Sequence, residues 1–248
     1  ILSKLGEENT DWQKQIYRTA IGTDHNLNIS GGYKNIPYRA SIGYTGQQGI
    51  IKTSKLDRLT GSLNLNPSLL DDDLKINFNV KGMYIKNRFA DTGAVGNAVR
   101  FDPTHPVKSD DEPFVSQTEG YFEWATYNDD GTFKSLNSDA PRNPVALLDK
   151  RNDRSKAWDL MGNIDIDYKM PFLRDLRAHL TLGTDISHGK QTTWISPTSS
   201  TNFIGGGYDG YTIQDKRNRQ LSTYLQYTKN FNNQNFDIMG GYEWQRSP

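Results

Sequence analysis

Carboxylate side chains are the most direct candidates for chemistry in this chain. Two carboxylates on one face of a strand pair could act as general acid and base in a glycoside hydrolase. Four aspartates share the polar register of two predicted strands: Asp159, Asp165, Asp167 and Asp185. We interpret them as groups that hydrate a wet interior, because the sequence has no G-x-S-x-G motif and no Cys nucleophile. An enzyme is therefore the less favoured interpretation, and we predict no catalytic residue.

Metal and phosphate sites have equally little support in the sequence. No two of the four histidines have metal-ligand spacing: His25, His105, His179 and His188. The acidic turns Asp71–Asp73 and Asn128–Gly131 are read as solvated turns, and the second lacks the ligand spacing and closing Glu of a calcium loop. Gly205–Gly210 matches G-x-G-x-x-G without a following helix or a βαβ setting. We therefore expect no metal and no cofactor.

The elements that would carry these side chains are two-faced β-strands, of which Leu74–Asn87 is the clearest. Its even-numbered positions as far as Tyr84 are apolar or glycine, and its odd-numbered positions as far as Lys81 are lysine or asparagine. Side chains alternate across a strand, so one face meets an apolar medium and the other meets water. The pattern recurs at Arg58–Asn66, Asp159–Lys169, Leu176–Ile186, Gln220–Phe231 and Phe236–Trp244, and more briefly at Tyr38–Thr45.

Composition narrows the class of protein. Only 34% of the 248 residues are hydrophobic, and the mean hydropathy is −0.76. No run of 18 or more apolar residues occurs, which excludes a helical membrane protein. Charge is balanced at 29 basic and 29 acidic residues, so the chain has no net positive charge that would favour binding to nucleic acid. Repeated two-faced strands in such a chain favour an all-β, antiparallel transmembrane β-barrel, with lipid outside and a polar lumen.

We predict eight or nine strands, joined by connections that alternate between short and long. The strands are about Trp12–Thr19, His25–Gly31, Tyr38–Gly46, Leu56–Asn66, Leu74–Phe89, Ala157–Met170, Leu176–His188, Arg219–Phe231 and Phe236–Gln245. Turns rich in Asn, Pro, Ser and Asp lie at 66–73, 170–175 and 230–235, and long loops span about 90–154 and 188–217. Outer-membrane barrels have short periplasmic turns and longer extracellular loops. No helical pattern of useful length is visible.

A soluble glycan-binding β-sandwich on the cell surface is the alternative architecture. It predicts that the apolar registers face one another in a single core, whereas a barrel points them away from the protein interior. The positions that discriminate are Leu74, Ile76, Phe78 and Val80. Aromatic residues near the strand ends are typical of the girdles of membrane barrels, although cross-strand packing would also explain them. They are Tyr44, Tyr84, Tyr168, Phe231, Tyr242 and Trp244.

The long loops carry the residues that could contact a ligand or a lid, because binding residues concentrate on loops. Within the first loop, residues 120–133 are predicted to form a small hairpin around Asp130-Gly131. Five aromatic residues are predicted to contact substrate or lid, with packing within the loops as their alternative role: Tyr121, Trp124, Tyr127, Trp194 and Tyr208. Four charged residues are predicted to brace the first loop: Arg88, Asp91, Arg100 and Asp102.

Three parts of the sequence resemble SusC/RagA-type TonB-linked outer-membrane transporters. Asn9–Gln13 and Ile16–Ala20, followed by His25–Gly32, are similar to the junction between plug and barrel in that family. Lys86–Gly93, continuing to Val99–Pro103, resembles the loop that follows an early barrel strand. Asn143–Leu148 resembles the return from that loop. The similarity runs along the whole chain.

The resemblance implies a 22-stranded barrel, in which residues 25–248 supply an early part. Residues 1–24 would form the plug-to-barrel junction and a possible first strand. It implies import of oligosaccharides or peptides across the Bacteroidetes outer membrane, powered by TonB, with a SusD-like surface lipoprotein as lid. The N-terminus has no signal peptide, so we expect a piece of a larger protein. TonB would act through a plug outside this sequence, and outer-membrane lipid would surround the barrel.

Overall fold

The computed structural model describes residues 5–34 and 36–247, so the first four residues of the predicted plug-to-barrel junction lie outside it. The strands in these residues are β1 Gly22–Tyr33, β2 Ile36–Gln48, β3 Lys55–Leu65, β4 Ser68–Leu69, β5 Leu74–Phe89, β6 Ala125–Tyr127, β7 Phe133–Leu136, β8 Arg151–Lys169, β9 Leu176–Ile195, β10 Tyr208–Phe231 and β11 Gln234–Arg246. The helices are α1 Trp12–Ile16, α2 Gly93–Arg100, α3 Phe114–Thr118 and α4 Pro144–Asp149.

Nine of the strands form one antiparallel sheet, as predicted for this chain. The order is β1-β2-β3-β5-β8-β9-β10-β11, with β4 paired to the start of β5. Every neighbour in the sheet is also the next long strand in sequence, which is the up-and-down arrangement of membrane barrels. Within the described residues β1 pairs only with β2 and β11 only with β10, so the sheet is open.

The pairing register sorts the sheet into one apolar face and one polar face. One row of directly opposed residues across six strands is apolar throughout: Leu65, Phe78, Ile164, Leu182, Leu221 and Trp244. The adjacent row across the same strands is polar or glycine throughout: Asn64, Asn79, Asn163, Gly183, Gln220 and Gln245. The alternation seen in single strands is therefore a property of the whole sheet.

The apolar face of the sheet is not covered by another layer. Leu160, Leu182 and Trp244 are each 41% exposed on this face, and none of the discriminating side chains between Leu74 and Val80 is buried. In residues 5–34 and 36–247 the second sheet is the two-stranded hairpin β6–β7. These facts contradict the sandwich alternative, because a sandwich needs its apolar registers to face each other in one core.

The buried apolar core lies instead at one end of the sheet. It consists of Trp12, Ile16, Ala94, Ala98, Phe101, Leu147 and Leu148. The predicted strand Trp12–Thr19 is wrong, because its first five residues form helix α1. The Asp11 side chain caps this helix by accepting a hydrogen bond from the Lys14 amide, at 3.0 Å. Trp12 and Ile16, four residues apart, share its buried face.

The connections differ in detail from the sequence prediction. The first long connection spans 90–150 and contains three short helices and the hairpin β6–β7. Gly131, at φ +80°, forms the hairpin turn, as the Asp-Gly dipeptide predicts. The second loop is shorter than predicted, at 196–207, because β9 continues to Ile195 and β10 begins at Tyr208. Within the described residues no helix is both long and apolar enough to cross a bilayer.

Candidate functional site

Four segments meet at the end of the sheet where β2, β5 and β9 finish. They are residues 5–21, 49–54, 90–150 and 196–207, and together we term them the loop cluster. The opposite end carries short turns at 66–73, 170–175 and 232–233. Loops that differ in length at the two ends of a sheet are typical of outer-membrane barrels. The loop cluster is therefore the end of the sheet that carries the longer connections.

An aromatic chain joins the N-terminal segment to the first long loop. The ring centroids of Trp12 and Phe101 lie 4.6 Å apart, and those of Phe122 and Trp124 lie 5.6 Å apart. Phe101 contacts both Phe122 and Trp124, at 6.2 and 6.4 Å. The Trp12 indole N–H donates to the carbonyl of Asp102, at 2.9 Å. Residues 89 positions apart therefore share one core, and the helix α1 is fixed to the loop.

The four charged residues predicted to brace the first loop do not form one cluster, and each has its own contacts. Asp102 Oδ1 accepts hydrogen bonds from the Thr104 amide and hydroxyl, both at 2.8 Å, and the amide bond lowers the pKa of this carboxyl. Asp91 Oδ1 accepts from the Gly93 amide at 2.9 Å, and its other oxygen lies 3.7 Å from the Arg151 guanidinium. Both carboxylates thus hold turns at the two ends of α2.

The two arginines among these residues make no hydrogen bond or ion pair in the described residues that links separate parts of the loop. Arg100 Nε donates to the Gly96 carbonyl of its own helix, at 3.2 Å. Arg88 lies on strand β5 opposite Arg154, and its Nε is buried with no hydrogen-bond partner within the described residues. The bracing role of Arg88 and Arg100 stays a prediction.

Asn143 and Glu123 form a buried polar node inside the loop cluster. The Asn143 Oδ1 caps α4 by accepting from the amides of Val145 and Ala146, at 3.0 and 3.2 Å. Its Nδ2 donates to the carbonyls of Val107 and Phe122, at 2.8 and 3.0 Å. One fully enclosed side chain therefore makes four hydrogen bonds to three stretches of backbone.

Glu123 extends this node to the second loop. Its Oε2 accepts from the backbone amide of Asn143 at 3.2 Å, and its Oε1 accepts from the Ser200 hydroxyl at 2.8 Å. The side chain is enclosed, and burial raises the pKa of the Glu123 carboxyl to about 7, although both hydrogen bonds favour the charged form. The two hydrogen bonds of Glu123 link the loops. Because its carboxylate is enclosed, it is not accessible to a ligand.

A second polar link lies beside the first. The Lys150 ammonium, on a residue that is 3% exposed, donates to the hydroxyl and carbonyl oxygens of Thr198, at 2.5 and 3.2 Å. The Thr198 hydroxyl donates to Glu119 Oε1 at 2.7 Å, and Glu119 Oε2 lies 3.7 Å from the ammonium. Burial lowers the pKa of Lys150, and the Thr198 bond lowers that of Glu119. Buried polar contacts therefore link the two long loops.

Two of the five predicted contact aromatics are packed into the loop cluster. Tyr121 is 7% exposed, and its hydroxyl donates to Asp149 Oδ2 at 2.7 Å. Its ring lies 4.5 and 5.3 Å from the ammonium groups of Lys108 and Lys150. Burial and the Asp149 bond raise the pKa of the Tyr121 phenol. Trp124 packs against the aromatic core. These positions agree with the packing role that the sequence left open for them.

The other three aromatics are exposed, but they do not converge. Tyr127 lies on the hairpin strand β6 and is 50% exposed. Trp194 and Tyr208 lie on strands, not on the second loop. Trp194 pairs with Asp209 and Tyr208 with Ile195, so their side chains project from opposite faces of the sheet. Tyr208 points to the polar side, and Trp194 to the side that carries the apolar face.

Sequence reasoning missed the polar nodes, although one signal was present. Asn143 followed by Pro144 and an apolar run is a helix start, with an N-cap residue and Pro at the first helical position. The partners of Asn143 could not be inferred in this way. Val107 and Phe122 lie 36 and 21 residues before it in sequence, and only the folded loop brings them together.

Comparison with known proteins gives relatives along the whole chain, although no protein-family profile matches it. The chain is 46% identical to the TonB-dependent receptor SusC of Bacteroides thetaiotaomicron over 248 residues, which cover 97% of this chain and 24% of that protein. It is 29% identical to the TonB-dependent receptor P3 of Formosa agariphila over 254 residues, covering 97% and 23%. The chain thus spans about a quarter of the length of these curated relatives.

Solved structures share the fold. The RagAB peptide importer in its closed-closed state superposes with a TM-score of 0.68 at 17% identity, covering 98% of this chain and 26% of that one. The RagAB peptide transporter gives a TM-score of 0.62 at 18% identity, with the same coverage.

Proposed function

We infer that this chain, which belongs to the SusC/RagA-type TonB-dependent receptors, supplies part of the barrel wall and a loop cluster of an outer-membrane nutrient importer. The whole receptor would take up oligosaccharides or peptides, and this segment would contribute scaffold and surface, not catalysis. The segment corresponds to about a quarter of its relatives, so gating and energy coupling are assigned to the remainder of the receptor.

One observation carries the proposal: the sheet separates apolar from polar side chains over its whole width. An apolar face with no protein layer on it is stable when lipid covers it, and a polar face is stable when water fills the lumen. On β5 the apolar face extends from Leu74 to Tyr84, and on β8 it extends from Trp158 to Tyr168. Each is 11 residues long, which matches the ~9–11 residues of a tilted membrane strand.

The strands also extend beyond the length that a bilayer requires. β10 has 24 residues and β9 has 20, about twice the length of a spanning strand. The additional residues of both strands lie at the loop-cluster end, where charged and polar residues interrupt the apolar face. We place this end on the extracellular side, since outer-membrane barrels carry their longer loops there.

The loop cluster is the proposed meeting point with substrate and lid. Buried hydrogen bonds of Glu123 and Lys150 tie its two long loops together. Tyr127 on the hairpin and Tyr208 at the adjoining start of β10 are exposed and available for contacts. A SusD-like surface lipoprotein would sit on this end, and TonB would act from the opposite side through a plug outside this sequence. RagAB is described as a peptide importer, and exposed tyrosines suit a peptide or a glycan equally.

The test uses the full-length receptor that contains this segment. It should require detergent or lipid for solubility and should migrate faster in SDS before boiling than after, as a closed barrel does. Bacteria that lack the receptor should lose uptake of its oligosaccharide or peptide substrate. A receptor that remains monomeric in water without detergent would contradict the proposal.

A further inference from the structure

We propose that cations on the outer face of this sheet bind the phosphate groups of membrane lipid at the loop-cluster end, and this inference rests on the membrane-wall function proposed above. On each of five neighbouring strands, the apolar residues of the outer face are followed, toward the loop-cluster end, by a cationic residue on the same face. These residues are Lys86 on β5, Lys156 on β8, Lys190 on β9, Arg219 on β10 and Arg246 on β11. On β9, His188 stands between the last apolar residue and the lysine.

The position of these cations fits the headgroup layer. The last apolar-face residue before the cation is Tyr84 on β5, Trp158 on β8 and Trp244 on β11. Tyr and Trp concentrate where hydrocarbon gives way to headgroups. Lys86, Lys156 and Arg246 lie two residues beyond these aromatic residues on the same face, which corresponds to the layer that contains lipid phosphates.

The cross-strand register makes the cations neighbours of one another. Lys156 lies directly opposite both Lys86 and Lys190, so the three lysines occupy one row of the sheet. The ammonium groups of Lys86 and Lys190 lie over the rings of Tyr84 and Tyr211, at 5.4 and 4.9 Å. Arg88 lies opposite Arg154 in the next row, and Arg219 lies opposite Arg246. Like charges placed directly opposite destabilise a sheet pair. An anion shared between these strands would remove that repulsion.

Acidic side chains of the protein neutralise this face only in part. Asp57, Asp209 and Asp215 share the face. Asp57 lies directly opposite Lys86, but its carboxylate is bound by Lys55 at 2.9 Å, and that of Asp215 is bound by His188 at 2.6 Å. In residues 5–34 and 36–247, no ion pair within 4.0 Å involves Lys86, Lys156 or Lys190. All three are exposed. Charge complementarity therefore points to a phosphate-bearing lipid as the occupant.

The experiment compares the full-length receptor with two charge-matched variants in phosphatidylcholine nanodiscs. The first variant is Lys86→Gln, Lys156→Gln and Lys190→Gln. The second removes three charges from the polar face of the same sheet: Lys75→Gln, Lys81→Gln and Lys216→Gln. Lipid A and dephosphorylated lipid A are the probes, and native mass spectrometry measures the lipid that stays bound.

The wild-type receptor should bind lipid A in preference to its dephosphorylated form, and added salt should weaken that preference. A cation near an anionic surface contributes about fivefold in affinity, so the first variant should bind lipid A about 100-fold more weakly. The second variant should match the wild type. Equal binding of both lipids by the wild type, or unchanged binding by the first variant, would overturn the proposal. A receptor that enters no nanodisc would refute the membrane-wall function, and this inference with it.

Discussion

Asn143→Ala should release the first long loop without disturbing the barrel wall. The substitution removes the cap of α4, which costs about 1 kcal/mol. It also removes the side-chain amide that donates to the part-buried carbonyl of Phe122, at a cost of about 1–3 kcal/mol. The Val107 carbonyl loses less, because it still accepts from the Phe122 amide at 3.2 Å. Together we expect a local destabilisation of about 3–5 kcal/mol.

Hydrogen exchange of the full-length receptor in nanodiscs measures this effect. A loss of about 3–5 kcal/mol corresponds to exchange that is about 100- to 4000-fold faster in peptides from 90–150. Peptides from β5 and β8 should keep their protection, because their hydrogen bonds lie in the sheet.

One further variant separates the capping bonds of Asn143 from its side-chain amide bonds, and a second serves as an exposed control. Asn143→Asp keeps a good cap acceptor but loses both Nδ2 bonds and adds a carboxylate beside Glu123, so it should be at least as damaging as alanine. Asn128→Ala, in the exposed hairpin turn, should change protection by less than about 0.5 kcal/mol. Wild-type protection in Asn143→Asp would show that the cap alone matters and would refute the reasoning.

Three other predictions concern Glu123, the two sheet faces and the exposed tyrosines. The free energy of unfolding the loop cluster, measured by proteolysis, should fall by about 3 kcal/mol as the pH rises from below 4.5 to above 7, because the folded-state pKa of Glu123, about 7, exceeds its ordinary 4.5. Glu123→Gln should abolish this pH dependence, and an equal fall in both proteins would contradict the prediction. Phe78→Lys should cost about 2–4 kcal/mol in denaturant titrations in vesicles, whereas Asn79→Lys should cost little, and equal costs would contradict the assigned faces. Tyr127→Ala with Tyr208→Ala should lower uptake about tenfold if both contact substrate or lid, and unchanged uptake would remove them from the site.

The sheet was largely predictable, because lipid and water impose a two-residue period that is visible in the sequence. Strand β5 begins and ends where the alternation predicts, at Leu74 and Phe89. The prediction lost β9 after His188 and the part of β10 before Arg219, although both strands continue there. In those stretches polar residues occupy both faces and apolar residues no longer alternate strictly with them, so pairing persists while the periodic signal disappears.

The loop cluster was predictable only in its local features. The Asp-Gly turn and the Asn143-Pro144 helix start depend on adjacent residues, whose preferences a sequence displays. The burial of Tyr121 depends on Asp149 and Lys150, about 30 positions later, and that of Trp12 on Phe101. Helix α1 looked like a strand because five residues are too few for helical periodicity to stand out.

The orientation of the two sheet faces is tested most directly by spin-label accessibility at neighbouring positions of β5. This segment contains no cysteine, so it allows labels at Phe78→Cys, Asn79→Cys, Val80→Cys and Lys81→Cys in the full-length receptor in nanodiscs. Labels at 78 and 80 should collide with oxygen dissolved in lipid, and labels at 79 and 81 with a water-soluble nickel chelate. The reverse pattern, or four labels with the same environment, would contradict a wall with lipid on one side and water on the other.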